Sequence, residues 1–459
     1  HMKTLTIQEI AQATGAKILI QDDTIVKNIS HVTQDSREAK ENSLFVALKG
    51  ENTDGHRYVT DCMKRGVGAC LIEQEMTPEN GCALLLVENT QTALLQLAKY
   101  YRSLFSIPVV GITGSVGKTT TKDMVASVLQ QKYDTLWTQG NYNNEIGVPL
   151  TLFRLEDHHE VAVIEMGMNH FDEIHRLVDV ARPNIGLISN VGVAHIEYLG
   201  SREGILKAKC ELFDFMDENG IAILNADNDM LQTVEGKLKP SIVWFGVENQ
   251  KGIFADHIMP LGLEQTKCTL HTPKGEIEIT IPLPGAHMVS NALSAAAVGL
   301  ELGLTLEQIR DGIANFVPTK NRMSIMSLEN GMTLLNDVYN SNPVSAKASL
   351  DILQQAKGRK VAILGFMGEL GEYAPQMHQE VGAYAAQVGI DVLFCIGKFS
   401  DCMAEGAKQN GLQQVYCYDT QQDFWNQGIH DLQKGDTILL KASRSMGFEK
   451  TVEKLQGVK

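Results

Sequence analysis

The chain's 459 residues are too many for one ordinary hydrophobic core, so two or three domains are expected. Its composition, 44% hydrophobic and 21% charged, is that of a soluble globular protein. The net charge of −15 excludes a surface built to hold nucleic acid or an anionic membrane, and leaves room only for a local basic pocket for phosphate.

Residues 1–105 carry short strand-like runs at 43–48, 69–72 and 84–87, with few long helical patterns. From residue 106 the texture changes. Apolar runs at 109–113, 161–166, 185–191 and 221–225 alternate with helical patterns, notably 118–131, 202–216 and 288–302. This alternation marks α/β layering around a largely parallel sheet. A break is expected near Val317-Pro318, after which runs at 360–365, 391–397 and 437–442 restart the pattern. The expected division is therefore 1–105, 106–316 and 317–459. No apolar run approaches the roughly 18 residues of a membrane span, and the first residues lack a signal peptide's charged and apolar regions. Eight cysteines, scattered from Cys62 to Cys417 without a C-x-x-C pair, read as reduced and mostly packed thiols. A cytoplasmic, multidomain enzyme is the expectation.

The strongest local signal is Gly111-Ile-Thr-Gly-Ser-Val-Gly-Lys-Thr-Thr120, set between a strand-like run and a helical pattern. Glycines let successive backbone N–H groups converge on phosphate oxygens, and the following helix N-terminus adds a favourable dipole. Lys118 would reach the β- and γ-phosphates, and the Thr119 hydroxyl would hold Mg²⁺. The strict G-x-x-x-x-G-K-[ST] pattern fails at its first position, where Ile112 stands, yet Gly111, Gly114 and Gly117 keep a regular spacing. The plainer alternative is a glycine-rich turn with an incidental lysine, which the strand-before, helix-after context disfavours. Nucleotide binding follows. The reaction type does not, because kinases, ATPases, GTPases and ligases share this loop.

Other residues fall where they would complete such a site. Glu165 ends an apolar run and would face the sheet's C-terminal edge, either as a Mg²⁺ ligand or as an exposed strand-end charge. His195 follows the run 185–191 at the same edge, although a lone histidine is more often packing or surface than ligand. Lys209 lies in a helical pattern, where position alone reads as a solvated charge. Asn141, Asn143 and Asn144, followed by Gly147 and Pro149, form a polar loop equally suited to a turn and to phosphate contact. The run Asn336-Asp-Val-Tyr-Asn-Ser-Asn-Pro343 mixes the same two chemistries. The residues alone describe an Mg-nucleotide enzyme with polar groups gathered at one sheet edge.

Across essentially the whole chain these residues resemble the Mur ligase family. Thr113-Gly-Ser-Val-Gly-Lys-Thr-Thr120 is similar to that family's phosphate loop, including the one-position departure. Glu165-Met-Gly, His195 and Lys209 fall in the order of its metal-site residues. Asn141-Tyr-Asn-Asn-Glu-Ile-Gly-Val-Pro149, Tyr339-Asn-Ser-Asn-Pro343 and Gly368-Glu-Leu-Gly-Glu372 resemble the branch that adds a dipeptide. Lys441-Ala-Ser-Arg444 resembles the final substrate loop. Two departures stand out: Asn321 where the family commonly has glycine, and Phe366 where an acidic residue is frequent.

The resemblance implies an α/β fold of three domains: a small UDP-sugar-binding domain, a central P-loop domain with a parallel sheet, and a Rossmann-like C-terminal domain bringing the incoming dipeptide. Gly114, Ser115, Gly117, Lys118, Thr119, Thr120, Asn144, Asn291, Arg322 and Asp337 would attend ATP. Ser36, Arg37, Asp54, His56, Asn141, Asn143, Tyr339, Asn340, Lys441, Ser443 and Arg444 would attend the other substrates. Thr119, Glu165, His195 and a Lys209 carbamylated by CO₂ would hold two Mg²⁺ ions, with Lys118, Lys209, His195 and Glu165 as the catalytic set. The implied reaction joins D-alanyl-D-alanine to UDP-N-acetylmuramoyl-tripeptide through an acyl phosphate, in a cytoplasmic monomer. A sibling ligase that adds the third residue carries an Asp-Asn-Pro-Arg run, which is absent here. Folylpolyglutamate synthase places its loop near the N-terminus, whereas about 110 residues precede this one. A non-catalytic P-loop regulator is disfavoured by the intact Lys118, Thr119, Glu165, His195 and Lys209 set. Residues 317–322 are the expected hinge.

Overall fold

The computed structural model describes residues 2–21 and 28–457, and its three larger sheets follow one another along the chain. The first orders Lys17–Leu19, Ala83–Leu86, Ala69–Ile72, Ser43–Val46 and His31–Thr33, parallel except for its outermost strand Lys17–Leu19. The middle sheet has nine strands. Its parallel part places Val109–Thr113 between Val161–Glu165 and Ile185–Ile188, with Ile221–Asn225 and Ser241–Gly246 beyond. The third sheet orders Ser324–Ser327, Thr333–Asn336, Thr437–Lys441, Lys360–Leu364, Val392–Ile396 and Gln414–Tyr418, parallel except at its first strand. The α/β layering of the middle and last segments is what the sequence pattern led one to expect, and the three parallel-rich sheets fit the three-domain architecture that the family resemblance implied.

Every residue of Val109–Thr113, Val161–Glu165 and Ile185–Ile188 is buried, because helices cover both faces of this sheet. That two-sided burial is what makes such strands read as unbroken apolar runs. Val109–Thr113 has later strands on both sides, so the chain reverses its winding there and opens a crevice at the strands' C-terminal ends. The phosphate loop leaves from this point.

Two elements go beyond the sequence pattern. The parallel sheet is extended by an antiparallel trio, Ile253–Leu261, Gln265–Thr272 and Gly275–Ile281. Burial alternates along Gln265–Thr272, as expected of strands wet on one face. Helix Leu306–Ala314, opened by a Thr305/Gln308 capping box, packs on the outermost strand and shields its free edge. The first hundred residues also hold a 14-residue helix, Thr90–Ser103, capped by the Asn89 side chain. This helix packs on Glu173–Ala181 and Gly147–Leu152 of the middle segment as well as on Ile7–Thr14 of its own. No helix among the described residues is long and apolar enough to cross a membrane.

Candidate active site

The loop 114–117 joins Val109–Thr113 to the helix Lys118–Leu129. Gly117 adopts φ +74°, a left-handed conformation that glycine accepts without a Cβ clash. A Cβ on Gly114 would lie 2.0 Å from the Ser189 hydroxyl, so only glycine lets the loop approach the end of the neighbouring strand. That approach puts Asn190 against the loop. Its side-chain oxygen accepts from the Ser115 and Val116 N–H groups at 3.0 and 2.9 Å, and its amide donates to the Val116 carbonyl at 2.9 Å. The Ser115 hydroxyl accepts from Gly192 N–H at 2.8 Å. Asn190 is therefore the brace of the loop. Sequence reasoning passed over it, since nothing but its place at a strand end distinguishes it.

Thr119 and Glu165 meet at the head of the crevice. The Thr119 hydroxyl donates to one Glu165 oxygen and the Asn143 amide to the other, the latter at 2.9 Å. The Glu165 N–H in turn donates to Thr138 at 2.9 Å. Glu165 is wholly buried, so it is no exposed strand-end charge. Lys118 lies close enough to feel the charges of Glu165, Arg322 and Glu369. Burial is the main reason its ammonium sits below the usual lysine value. Thr120 is half-buried beside it.

Lys209 occupies the last turn of Arg202–Cys210, on the face that also buries Ile205 and Ala208. It is 2% exposed, which excludes the solvated charge that its position alone suggested. Burial first, and then repulsion from Lys118, push its amine well below the usual value. Among the described residues it makes no ion pair. His195 has φ +65° at the start of a short helix, Ile196–Leu199, and its Nδ1 contacts the Glu369 carboxylate. Glu369 itself has φ +60°, its carbonyl accepts from Glu197 N–H at 3.3 Å, and the His195 contact holds its carboxyl below the usual range. Glu369 belongs to the Gly368–Glu372 run but was not expected in the site.

The asparagine loop divides its duties. Asn143 reaches Glu165, whereas the Asn144 oxygen accepts from Ile146 and Gly147 N–H at 3.1 and 2.8 Å, leaving only its amide for a ligand. Asn141 is exposed at the tip. Asn291, 7% exposed in the helix Ala286–Glu301, accepts from the Thr121 hydroxyl at 2.9 Å, one turn past the phosphate loop.

The third segment contributes a basic wall. The Arg322 and Arg444 guanidinium groups lie 3.8 and 4.7 Å from the centre of the Tyr339 ring. Lys441 donates to Asp337 at 2.8 Å and to the Asn340 carbonyl at 2.9 Å. Asp337 also accepts from Ser349 at 2.7 Å and from Met323 N–H at 3.2 Å, so its oxygens are engaged within the protein. Burial would raise the Asp337 carboxyl, but Lys441 and Ser349 hold it low. Ser443 accepts from Gly368 N–H at 2.7 Å, pinning the two loops together. Asn342 caps Pro343–Gln354, which accounts for the end of the Tyr339–Pro343 run.

A separate cleft of about 860 Å³ lies in the first segment, lined by Ser36, Arg37, Lys49, Gly50, Tyr58 and, from the middle segment, Ile146. Arg37 is clamped by Asp35 at 3.0 and 2.8 Å. His56 is spent on structure: its Nδ1 faces Asp54 at 2.7 Å, and its Nε2 accepts from Glu73 N–H at 2.9 Å.

Comparison with known proteins follows this geometry. The family description "Mur ligase family, catalytic domain" matches residues 28–102, "Mur ligase middle domain" 112–299, and "Mur ligase, glutamate ligase domain" 321–444. The chain is 37% identical over 459 residues to the UDP-N-acetylmuramoyl-tripeptide--D-alanyl-D-alanine ligase of Escherichia coli (strain K12), covering 99% of each. A crystal structure of MurF from Acinetobacter baumannii superposes with a TM-score of 0.93 at 33% identity, covering 100% of both chains. The MurF ligase of Thermotoga maritima in complex with ADP superposes with a TM-score of 0.83 at 26% identity, over 93% of this chain and 97% of that one.

Proposed function

This chain belongs to the Mur ligase family, and from that premise we propose that it joins D-alanyl-D-alanine to UDP-N-acetylmuramoyl-tripeptide at the expense of ATP. The observation that carries this reading is the meeting, at one sheet edge, of Lys118, Thr119 and Glu165 with His195 held by Glu369. That arrangement occurs in a chain that matches the dipeptide-adding ligases from end to end.

A carboxylate is a poor acyl donor at neutral pH, because oxide would have to leave. Transfer of the γ-phosphoryl group makes an acyl phosphate, and the dipeptide amine displaces phosphate through a tetrahedral intermediate. The protein's task is mainly electrostatic. The amides at the start of Lys118–Leu129 and the Lys118 ammonium hold the transferring group, with Asn190 keeping the loop in shape. Asn291, bonded to Thr121 beside the phosphate loop, would bind the adenine, and the Tyr339, Arg322 and Arg444 stack would contact the anionic substrates. The first cleft, with Ser36 and Arg37, takes the UDP end. The three segments 1–105, 106–316 and 317–459 serve as the UDP-sugar, ATP and dipeptide domains of a cytoplasmic monomer.

The oxygen-rich Thr119 and Glu165 pair, with His195 oriented by Glu369, suits a hard divalent cation. Magnesium, when bound, neutralises charge on the transferring phosphoryl group. Two ions would be held by Thr119, Glu165, His195 and a carbamylated Lys209. The buried Lys209 amine, which makes no ion pair among the described residues, favours its free base, the form that attacks CO₂. With ¹³C-bicarbonate, a carbamate resonance is expected in the native protein and not in Lys209→Arg; its absence from both would remove Lys209 from the metal set.

The deciding experiment measures phosphate release from ATP with the UDP-tripeptide, with and without D-alanyl-D-alanine, alongside product mass. Release dependent on both substrates, with a product heavier by the dipeptide unit, is expected. Folded, ATP-binding protein that releases nothing would defeat the assignment.

A further inference from the structure

The outer strands of the third sheet carry a pair of thiols that the ligation does not use. Val392–Ile396 and Gln414–Tyr418 run parallel, and their register sets Cys395 directly opposite Cys417. Neighbouring strands lie about 4.8 Å apart, inside the window of about 4.4–6.8 Å between Cα atoms that a disulfide spans. Opposed residues of a pleated sheet project to the same face, so the two thiols stand side by side on adjacent strands. Cys395 is fully buried, whereas Cys417 is exposed at the edge of the sheet.

The Cys417 S–H donates to the carbonyl of Ser400, the first residue of the helix Ser400–Gln409, at 3.5 Å. Lys408 of the same helix adds a positive charge. The Cys395 contact, and after it Lys408 and Ser400, bring the Cys417 thiol down to about 7 despite partial burial. The nearby Cys402 moves the other way, raised by burial and Asp401.

We propose that Cys417 and Cys395 form a peroxide-oxidisable dithiol. The Cys417 thiolate attacks the O–O bond of hydrogen peroxide, keeps one oxygen as a sulfenic acid and releases hydroxide. The Cys395 sulfur then attacks Cys417, its proton leaves with the sulfenic oxygen as water, and a cross-strand disulfide closes. One peroxide accepts two electrons, and two thiols supply them. A thiol reductant reverses the step.

The test exposes the whole folded protein to equimolar hydrogen peroxide, then maps its peptides without reduction. The expected product is lighter by two hydrogens, linked only between Cys395 and Cys417, and restored by dithiothreitol. Oxidation at Cys417 should outpace that at Cys402 by about tenfold or more. In Cys395→Ser, Cys417 should accumulate as a sulfenic acid that dimedone traps; in Cys417→Ser, no link should form. The proposal is overturned if Cys417 stays reduced, if it passes to sulfinic acid while Cys395 remains a thiol, or if it links to Cys402. Circular dichroism of both variants guards against misfolding, and the native chain's own peptide map decides the matter if either fails to fold.

Discussion

Asn321 shows how one side chain can serve backbone and core together. Its φ of +65° is the left-handed conformation that glycine prefers and asparagine tolerates, which explains why it can stand where the family commonly has glycine. Its side-chain oxygen also accepts from the amide of buried Asn336 at 2.9 Å. Asn321→Gly would relieve at most about 1 kcal/mol of backbone strain. Stranding the Asn336 amide costs about 1–3 kcal/mol, so net destabilisation of roughly 1 kcal/mol is expected in a denaturant melt. The Glu369 carboxylate contacts His195. Losing the charge in Glu369→Gln should lower turnover or raise the half-saturating Mg²⁺ concentration about 10- to 100-fold. ATP binding measured without metal should stay unchanged. A variant that loses ATP binding instead would make Glu369 a structural residue. Phe366, the other departure, stacks on His378 and Phe399, so an aromatic cluster occupies the place of an acid.

Among the elements, the segment 365–371 depends on His378. That imidazole is fully buried, donates from Nδ1 to the Ala374 carbonyl at 2.7 Å, and accepts Met367 N–H at Nε2 at 3.0 Å. Burial holds it below its ordinary value of 6.5. In the window between that lowered value and 6.5, the unfolded chain binds a proton that the folded chain refuses, so stability rises with pH there. Its contribution is full above 6.5 and is lost as pH falls through the window. Thermal melts of native protein and His378→Gln should show a shallower pH dependence in the variant. Identical slopes would contradict the assignment.

The legibility of elements followed their surroundings. Strands buried on both faces, such as Val109–Thr113 and Val161–Glu165, print themselves as apolar runs. The trio 253–281 is half wet and alternates with polar residues, so it left no run to find. The phosphate loop was plain because its spacing is local. Asn190 and Glu369 were not, because each acquires its role only when distant strand ends meet. Lys209 reads as a solvated charge by position alone, since burial of a helix face by a tertiary neighbour is not written in the helix itself.

At the scale of the whole molecule, charge and motion are unevenly distributed. The net charge is −15, yet Lys118, Arg322 and Arg444 gather near one another, a local positive field against the general one. The third segment touches the middle one through His195–Glu369, Glu197–Glu369 and Thr319–Asp123 and by packing of Val344 and Ile352 against Gly192 and Gly285, while Val317 at the junction is 78% exposed. That exposed junction suits a hinge at 317–322. X-ray scattering should show a smaller radius of gyration with ATP analogue and both substrates than without them; superposable profiles would place the moving part elsewhere.

The helix Thr90–Ser103 behaves in the opposite way. Lys99 pairs with Asp179 at 3.0 Å, Arg102 donates to the Ala181 carbonyl at 2.9 Å, Tyr101 donates to the Leu155 carbonyl, and Gln91 reaches the Glu145 carbonyl at 2.7 Å. The first segment is therefore mortised into its neighbour rather than strung beside it. Recombination, by nature or by a protein engineer, could not exchange residues 1–105 as an independent cassette without also importing the sockets around 145–182.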